Sequence, residues 1–160
     1  MNKPVKVNPQ RSRLRRMIGL GNRLVVMVLR SPAHRVLSGR LMLLEYTGAK
    51  TGRRYRFPIA YHRWGVDDGE VLAMSRGTGW PHRVKGRRVE LLVAGRACTA
   101  TAEVVDELEA VADLLEEFCD RYGPVTASRL MLGLPKDRKP TRRELLDAAA
   151  KARWVRFTVT

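Results

Sequence analysis

The hydrophobic positions of this chain change period as it is read, and each change marks a change of element. From Gln10 to Arg30, the residues Leu14, Met17, Ile18, Gly21, Leu24, Val25 and Val28 recur at steps of three and four, which gathers them on one face of a helix. Arg16, Arg23 and Arg30 are spaced by seven and stack on the opposite face. Ser31-Pro32 ends this helix and starts a short second one through Leu37. Residues 1–9 contain two prolines and no apolar period, and read as a flexible basic arm.

The period then turns to strand. Leu41–Thr47 is a continuous apolar run suited to a buried strand, Gly48–Arg54 a loop, and Tyr55–Trp64 one aromatic-rich strand with Pro58 at a bulge or an edge. Gly65–Gly69 reads as a hairpin turn, Glu70–Ser75 as a strand and Arg76–Gly79 as a tight loop. Arg88–Val93 and Ala97–Val105 form a hairpin about residues 94–96. Asp106 is placed to cap a helix running to about Tyr122, with Glu109 three residues on. A second helical stretch covers Val125–Leu132. Thr141 caps a third helix with Glu144 at its capping-box position, and the chain closes with a strand over Trp154–Thr158. Hairpin-linked strands, helices inserted late and a final strand imply an α+β domain: a small antiparallel barrel, closed or half-open, with helices outside it. They do not imply alternating βαβ units. The whole of 10–160 fits one domain, with 10–37 as an amphipathic helical segment at its start.

Charge adds what periodicity leaves out. The net charge is +15, and residues 1–40 hold ten Lys or Arg and no acid, while the rest carries 21 basic and 16 acidic residues. That asymmetry points to an anionic partner for the N-terminal segment, either membrane headgroups or nucleic acid. The basic helix has almost none of the Asn, Gln or aromatic residues that read bases, so nucleic acid is not expected. Arginines opposite an apolar face fit a helix on an anionic bilayer, or one whose apolar face covers the barrel with its arginines in water. Cys98 and Cys119 belong to no CxxC pair, and the apolar run Leu24–Leu29 is far too short to span a bilayer. The chain therefore reads as cytoplasmic, with a peripheral place on the inner face of the cell membrane open to it. His34, His62 and His82 have no metal-ligand spacing, so no metal is assigned.

Two loops carry the candidate chemistry. Thr47–Arg56 brings Gly48, Lys50, Thr51, Gly52, Arg53, Arg54 and Arg56 into one short segment. Glycines allow a tight turn with amides facing outward, and the cations supply forked donors, which together suit a phosphate. The segment is not a P-loop, whose Gly-Lys pair it lacks. A solvated basic turn is the competing reading. The second loop, Ser75–Trp80, ends a strand; Trp80 is placed either to stack on a flat ring or to fill the core.

From Leu41 to Trp80 the chain resembles the deazaflavin-dependent nitroreductase family, a branch of the split-barrel flavin-binding proteins. The likeness rests on Thr47, Gly48, Lys50, Thr51, Gly52, Arg53 and the pair Pro58-Ile59. It rests also on the loop Arg76–Gly79 before Trp80 and on the Arg30-Ser31-Pro32 segment with His34. It covers roughly residues 20–105. The family pattern has Asn where this chain has Arg83, within Pro81-His82-Arg83-Val84. The resemblance implies an FMN-binding-like split barrel and an oxidoreductase using the deazaflavin coenzyme F-420, with FMN as the alternative. Lys50, Thr51, Gly52, Arg53 and Arg56 would cradle the phosphate and acidic tail, with Pro58 beside them. Arg76, Gly77, Thr78, Gly79 and Trp80 would border the ring. A hydride would pass to a hydrophobic quinone- or nitroaromatic-like acceptor. Tyr122 and His82 are the candidate proton donors, against packing and plain surface as their competing roles. A non-enzymatic lipid or hydrophobic-ligand carrier of the same fold is the alternative function.

Overall fold

The alternation of side chains along β1 (Leu41–Thr47) decides how the molecule is layered. All of its central residues are buried, yet they go to two places. Met42, Leu44 and Tyr46 point into a core shared with Val89, Leu91, Ala100, Ala102, Val155 and Phe157 from other strands. Leu43 and Glu45 point the other way, because successive strand residues face opposite sides of a sheet. A strand buried on both sides is what a continuous apolar run produces.

The computed structural model describes residues 21–37, 39–77 and 79–160. Seven strands form one antiparallel sheet in the order β2-β1-β5-β6-β7-β4-β3. The others are β2 (Arg54–Ala60), β3 (His62–Trp64), β4 (Glu70–Ser75), β5 (Arg88–Val93), β6 (Arg96–Val105) and β7 (Arg153–Val159). β2 and β3 are the two edges of the sheet, although only Tyr61 separates them in sequence. The sheet therefore curls until its edges meet at one bent strand, β2 and β4 touching without pairing. This is a split barrel with helices outside, an α+β fold.

The expected single strand over 55–64 is thus two. Its first half pairs with β1 and its second with β4, and at the corner the Tyr61 amide donates to the Arg40 carbonyl. Pro58 lies on the edge strand β2, where a missing N–H costs no ladder bond.

Helices cover two parts of the outer surface. The first, α1, is described over 21–30 and is followed by a 3₁₀ turn at Pro32–Val36. Residues 1–20, including the flexible-arm reading of 1–9 and the first half of the expected helix, lie outside the described residues. A short helix, α2 (Trp80–Val84), follows the β4 loop, in a stretch whose sequence carries no helical period. α3 (Leu108–Ser128) breaks at Gly123, whose φ of 81° favours glycine, just before Pro124. The two helical stretches expected on either side of that point are therefore one element with a break. α4 (Arg142–Ala149) starts with the capping box expected of Thr141 and Glu144. α3 begins one residue later than expected: Glu107 holds the N-cap position, and Asp106 pairs instead with Lys85 at 3.6 Å.

A second apolar core lies between α3, α4 and the outer face of β3, β4 and β7. Trp64, Leu72 and Trp154 meet Leu115, Phe118 and Leu145 there, all nearly inaccessible to solvent. Arg142 of α4 pairs with Glu109 and Asp113 of α3, fastening the helices to each other. Among the described residues no helix is long and apolar enough to cross a membrane.

Candidate functional site

The β1–β2 loop and the segment leading into α2 arrive at the same end of the barrel. Gly48 holds the loop down: a Cβ there would lie 3.0 Å from the Tyr55 ring and 3.0 Å from Thr51 Oγ1. The loop closes on itself. The Gly48 amide donates to the Arg53 carbonyl at 2.8 Å, that of Gly52 to the Gly48 carbonyl at 2.9 Å, and that of Arg53 to Thr51 Oγ1 at 3.3 Å. These three amides are spent within the turn and do not face outward as the glycines suggested. The Gly77 amide is likewise bonded to Ser75 Oγ. With these four amides engaged, the charged donors at this end are side chains.

Strand alternation sorts those side chains into two sets. Arg54 and Arg56 go to the outer face, where both pair with Glu45, a carboxylate only 7% exposed. Arg54 also reaches Glu90 at 3.0 Å. The hydrogen bond from Arg56 holds the Glu45 carboxyl below its ordinary range. Tyr55 and Phe57 go to the inner face. There Tyr55 stacks on Tyr46 at 5.2 Å, and Phe57 lies 6.2 Å from Trp80, which packs nearly parallel to Phe157 at 6.3 Å.

Two guanidiniums converge on this aromatic group. Arg53 lies 5.7 Å from the Tyr55 ring centre and Arg83, from α2, lies 5.5 Å from it. Among the described residues neither has a carboxylate partner, and neither do Lys50, Arg87 or Arg88. A separate cleft of about 420 Å³ beside the loop, on the side of Glu45 and Glu90, is lined by Thr47, Gly52, Arg54, Arg87 and Arg88 and by neither Arg53 nor Arg83. Cations brought to one ring without a counter-ion repel one another, and an anion between them relieves that repulsion.

Of the residues singled out by sequence, Arg53 and Trp80 are brought to this aromatic cluster. Lys50, Thr51, Gly52, Arg76, Gly77 and Gly79 are exposed loop residues near it in sequence, and Thr78 lies outside the described residues. Arg56 and Pro58 are on β2, Arg56 being committed to Glu45. His82 is exposed and follows Trp80 by two residues, a rotation of about 200° that turns it to the other side of α2. Tyr122 belongs to the outer layer, where its hydroxyl donates to the Arg63 carbonyl and its ring lies 4.8 Å from Phe118 and 5.4 Å from His62. Sequence reading had not placed Arg83, Tyr55 or Glu45 in the site. For Tyr55 the period-two alternation with Arg54 and Arg56 carried the signal; for Arg83 nothing local did.

No protein-family model matches the chain, and no curated protein matches it. Solved structures do. One is a conserved hypothetical protein from Mycobacterium tuberculosis, 16% identical over 86% of this chain and 78% of that one, with a TM-score of 0.46. Another is an FAD-binding protein from Mesorhizobium loti, 15% identical over 85% and 87% of the two chains, with a TM-score of 0.45. A third is a pyridoxamine 5'-phosphate oxidase-related, FMN-binding protein from Nostoc punctiforme, 10% identical over 98% and 83%, with a TM-score of 0.47.

Proposed function

We propose that the chain is an oxidoreductase that holds a phosphate-bearing deazaflavin, coenzyme F-420, at the α2 end of the barrel and reduces a quinone- or nitroaromatic-like acceptor. The observation that carries this reading is the approach of Arg53 and Arg83, from two separate segments, to one tyrosine ring, neither having a carboxylate partner among the described residues. Guanidiniums present forked donors that match a phosphodiester. The half-buried Tyr55, Phe57 and Trp80 supply a flat apolar surface next to those donors. The residues present therefore fit a planar ligand with an anionic arm. Arg53 and Arg83 would hold the phosphate, with Lys50 of the same loop and Arg87, bonded to the Arg83 carbonyl, adding charge around it.

When bound, such a coenzyme supplies hydride transfer. The protein's part is to position and to exclude water. Trp80 is held by Phe57 and Phe157 before any ligand arrives, so little ordering remains to be done on binding. Of the two candidate proton donors, His82 stands on the same short helix as Trp80 but on its other side. The Tyr122 hydroxyl is already engaged with a backbone carbonyl in the other layer.

Titrating the protein with the deazaflavin coenzyme while following tryptophan fluorescence tests the proposal. Binding in the micromolar range is expected, weakened about ten- to hundredfold by Arg53→Ala or Arg83→Ala, since each removes a charge-assisted hydrogen bond of about 1.5–3 kcal/mol. Absence of any response up to tens of micromolar overturns it. A yellow protein that retains FMN and ignores the deazaflavin moves the site to FMN.

A further inference from the structure

We propose that α1 is an interfacial helix that seats the protein on an anionic lipid bilayer through Leu24 and Met27. The inference is independent of the coenzyme reading. Residues 21–30 are helical, and they divide their apolar side chains between two surfaces. Leu29 is 2% exposed and docks the helix on the barrel, with Val25, Val26 and Val28 half-buried around it. Leu24 and Met27, one turn apart, stand out at 61% and 67% exposure. The apolar face expected to lie wholly on one side is therefore split.

Arg23, Met27 and Arg30 are spaced by four and three, so they form one stripe along the helix, with Leu24 beside it. All four are exposed. An apolar pair framed by arginines is the surface that an acyl boundary under anionic headgroups accepts: the methyls enter, and the guanidiniums stay with the phosphates. The charge of the surrounding chain selects the occupant. Residues 1–40 hold ten Lys or Arg and no acid. A second copy would bring the same positive surface against this one, which like-charge repulsion opposes. A nucleic acid would pair with the arginines but leave Leu24 and Met27 in water.

The test is co-sedimentation of the full chain with large vesicles, either of phosphatidylcholine alone or of phosphatidylcholine containing phosphatidylglycerol. Binding to the anionic vesicles and not to the neutral ones, reversed by salt, is expected. Leu24→Asp with Met27→Asp should lower the partition at least about tenfold, because both changed positions lose their burial in the acyl boundary. Arg23→Ala should lower it about fivefold. Positions this exposed tolerate polar residues, and an unchanged far-ultraviolet spectrum and melting temperature verify the fold. Should the double variant unfold, Arg23→Ala decides alone. The proposal fails if neither vesicle is bound, if neutral vesicles bind equally, or if the variants bind as wild type. It fails equally if the double aspartate variant instead turns a dimer into a monomer, since a second copy then covers this face.

Discussion

Arg53 and Arg56 are three residues apart, have the same chemistry, and are expected to fail in opposite ways when removed. Arg56→Ala takes away one of two cations on Glu45, a carboxylate 7% exposed. The remaining partner, Arg54, has a side chain 62% exposed and so holds that carboxylate in a wet, screened contact. Leaving a buried carboxylate with a weakened partner costs about 2 kcal/mol. With an unfolding entropy of about 2.1 cal/mol/K per residue, a domain of this length loses about 6 °C in melting temperature. The loss has a pH signature. Glu45 titrates lower in the folded protein than in the unfolded chain, chiefly through the hydrogen bond from Arg56. Its contribution is therefore present above the unfolded carboxyl value of 4.5 and fades as pH falls through the lower folded value, so the gap between wild type and Arg56→Ala narrows as the pH is taken below 4.5. Coenzyme affinity should stay within about twofold of wild type. Arg53→Ala should do the reverse, keeping the melting temperature and weakening binding by about tenfold or more. Thermal unfolding at two pH values and one fluorescence titration per variant suffice. An Arg56→Ala protein that melts as wild type but binds tenfold more weakly refutes the division of the arginines between two faces.

Three further outcomes follow from the same geometry. Gly48→Ala sets a methyl 3.0 Å from Tyr55 and Thr51, and overpacking of about 1–2 kcal/mol should appear as a lower melting temperature together with weaker ligand binding; wild-type values in both would show that the loop is not held against Tyr55. Burial lowers the pKa of His62 below its ordinary 6.5, so the folded protein keeps it neutral, and stability should fall as pH drops below that value; a His62→Gln variant with an identical pH profile of melting temperatures would remove His62 as the cause. Tyr122→Phe deletes the hydrogen bond to the Arg63 carbonyl and should cost about 1 kcal/mol, read as a drop of about 3 °C, with turnover within about twofold. A hundredfold loss of turnover at an unchanged melting temperature would instead make Tyr122 the proton donor.

Elements whose cause is local are legible in the sequence. β1 and β4 span the segments that their apolar centres mark, and α4 starts at the Thr141–Glu144 box. The division of 55–64 at Tyr61 was not legible, because YRFPIAYHRW contains no residue that must break there. The break exists since one half has β1 to pair with and the other β4, which are far apart in the sheet order. α2 escaped for a related reason. Five residues with a proline and a histidine carry no helical period, and the segment is shaped by Pro81 and Val84 entering buried positions. The amides of Gly48 and Gly52, expected to face a ligand, are instead bonded within the turn. Composition tells which donors a turn possesses, but not that the turn closes by using them.

The arginines show most sharply what register adds. In sequence the cations of 50–56 look equivalent, and their sum suggests one strong anion site. In the sheet, Glu45 stands opposite Arg56 on β2 and opposite Glu90 on β5. Two carboxylates directly across a ladder repel. Arg56 answers Glu45, and Arg54 reaches both acids, so two of the basic residues are consumed by a charge row running across three strands. Among the described residues, those left unanswered include Lys50 and Arg53 and, from an element with no period in the sequence, Arg83, and of these Arg53 and Arg83 meet at the Tyr55 ring. The candidate site is thus the remainder after cross-strand neutralisation, and a remainder is computed only once it is known which acids each cation can reach.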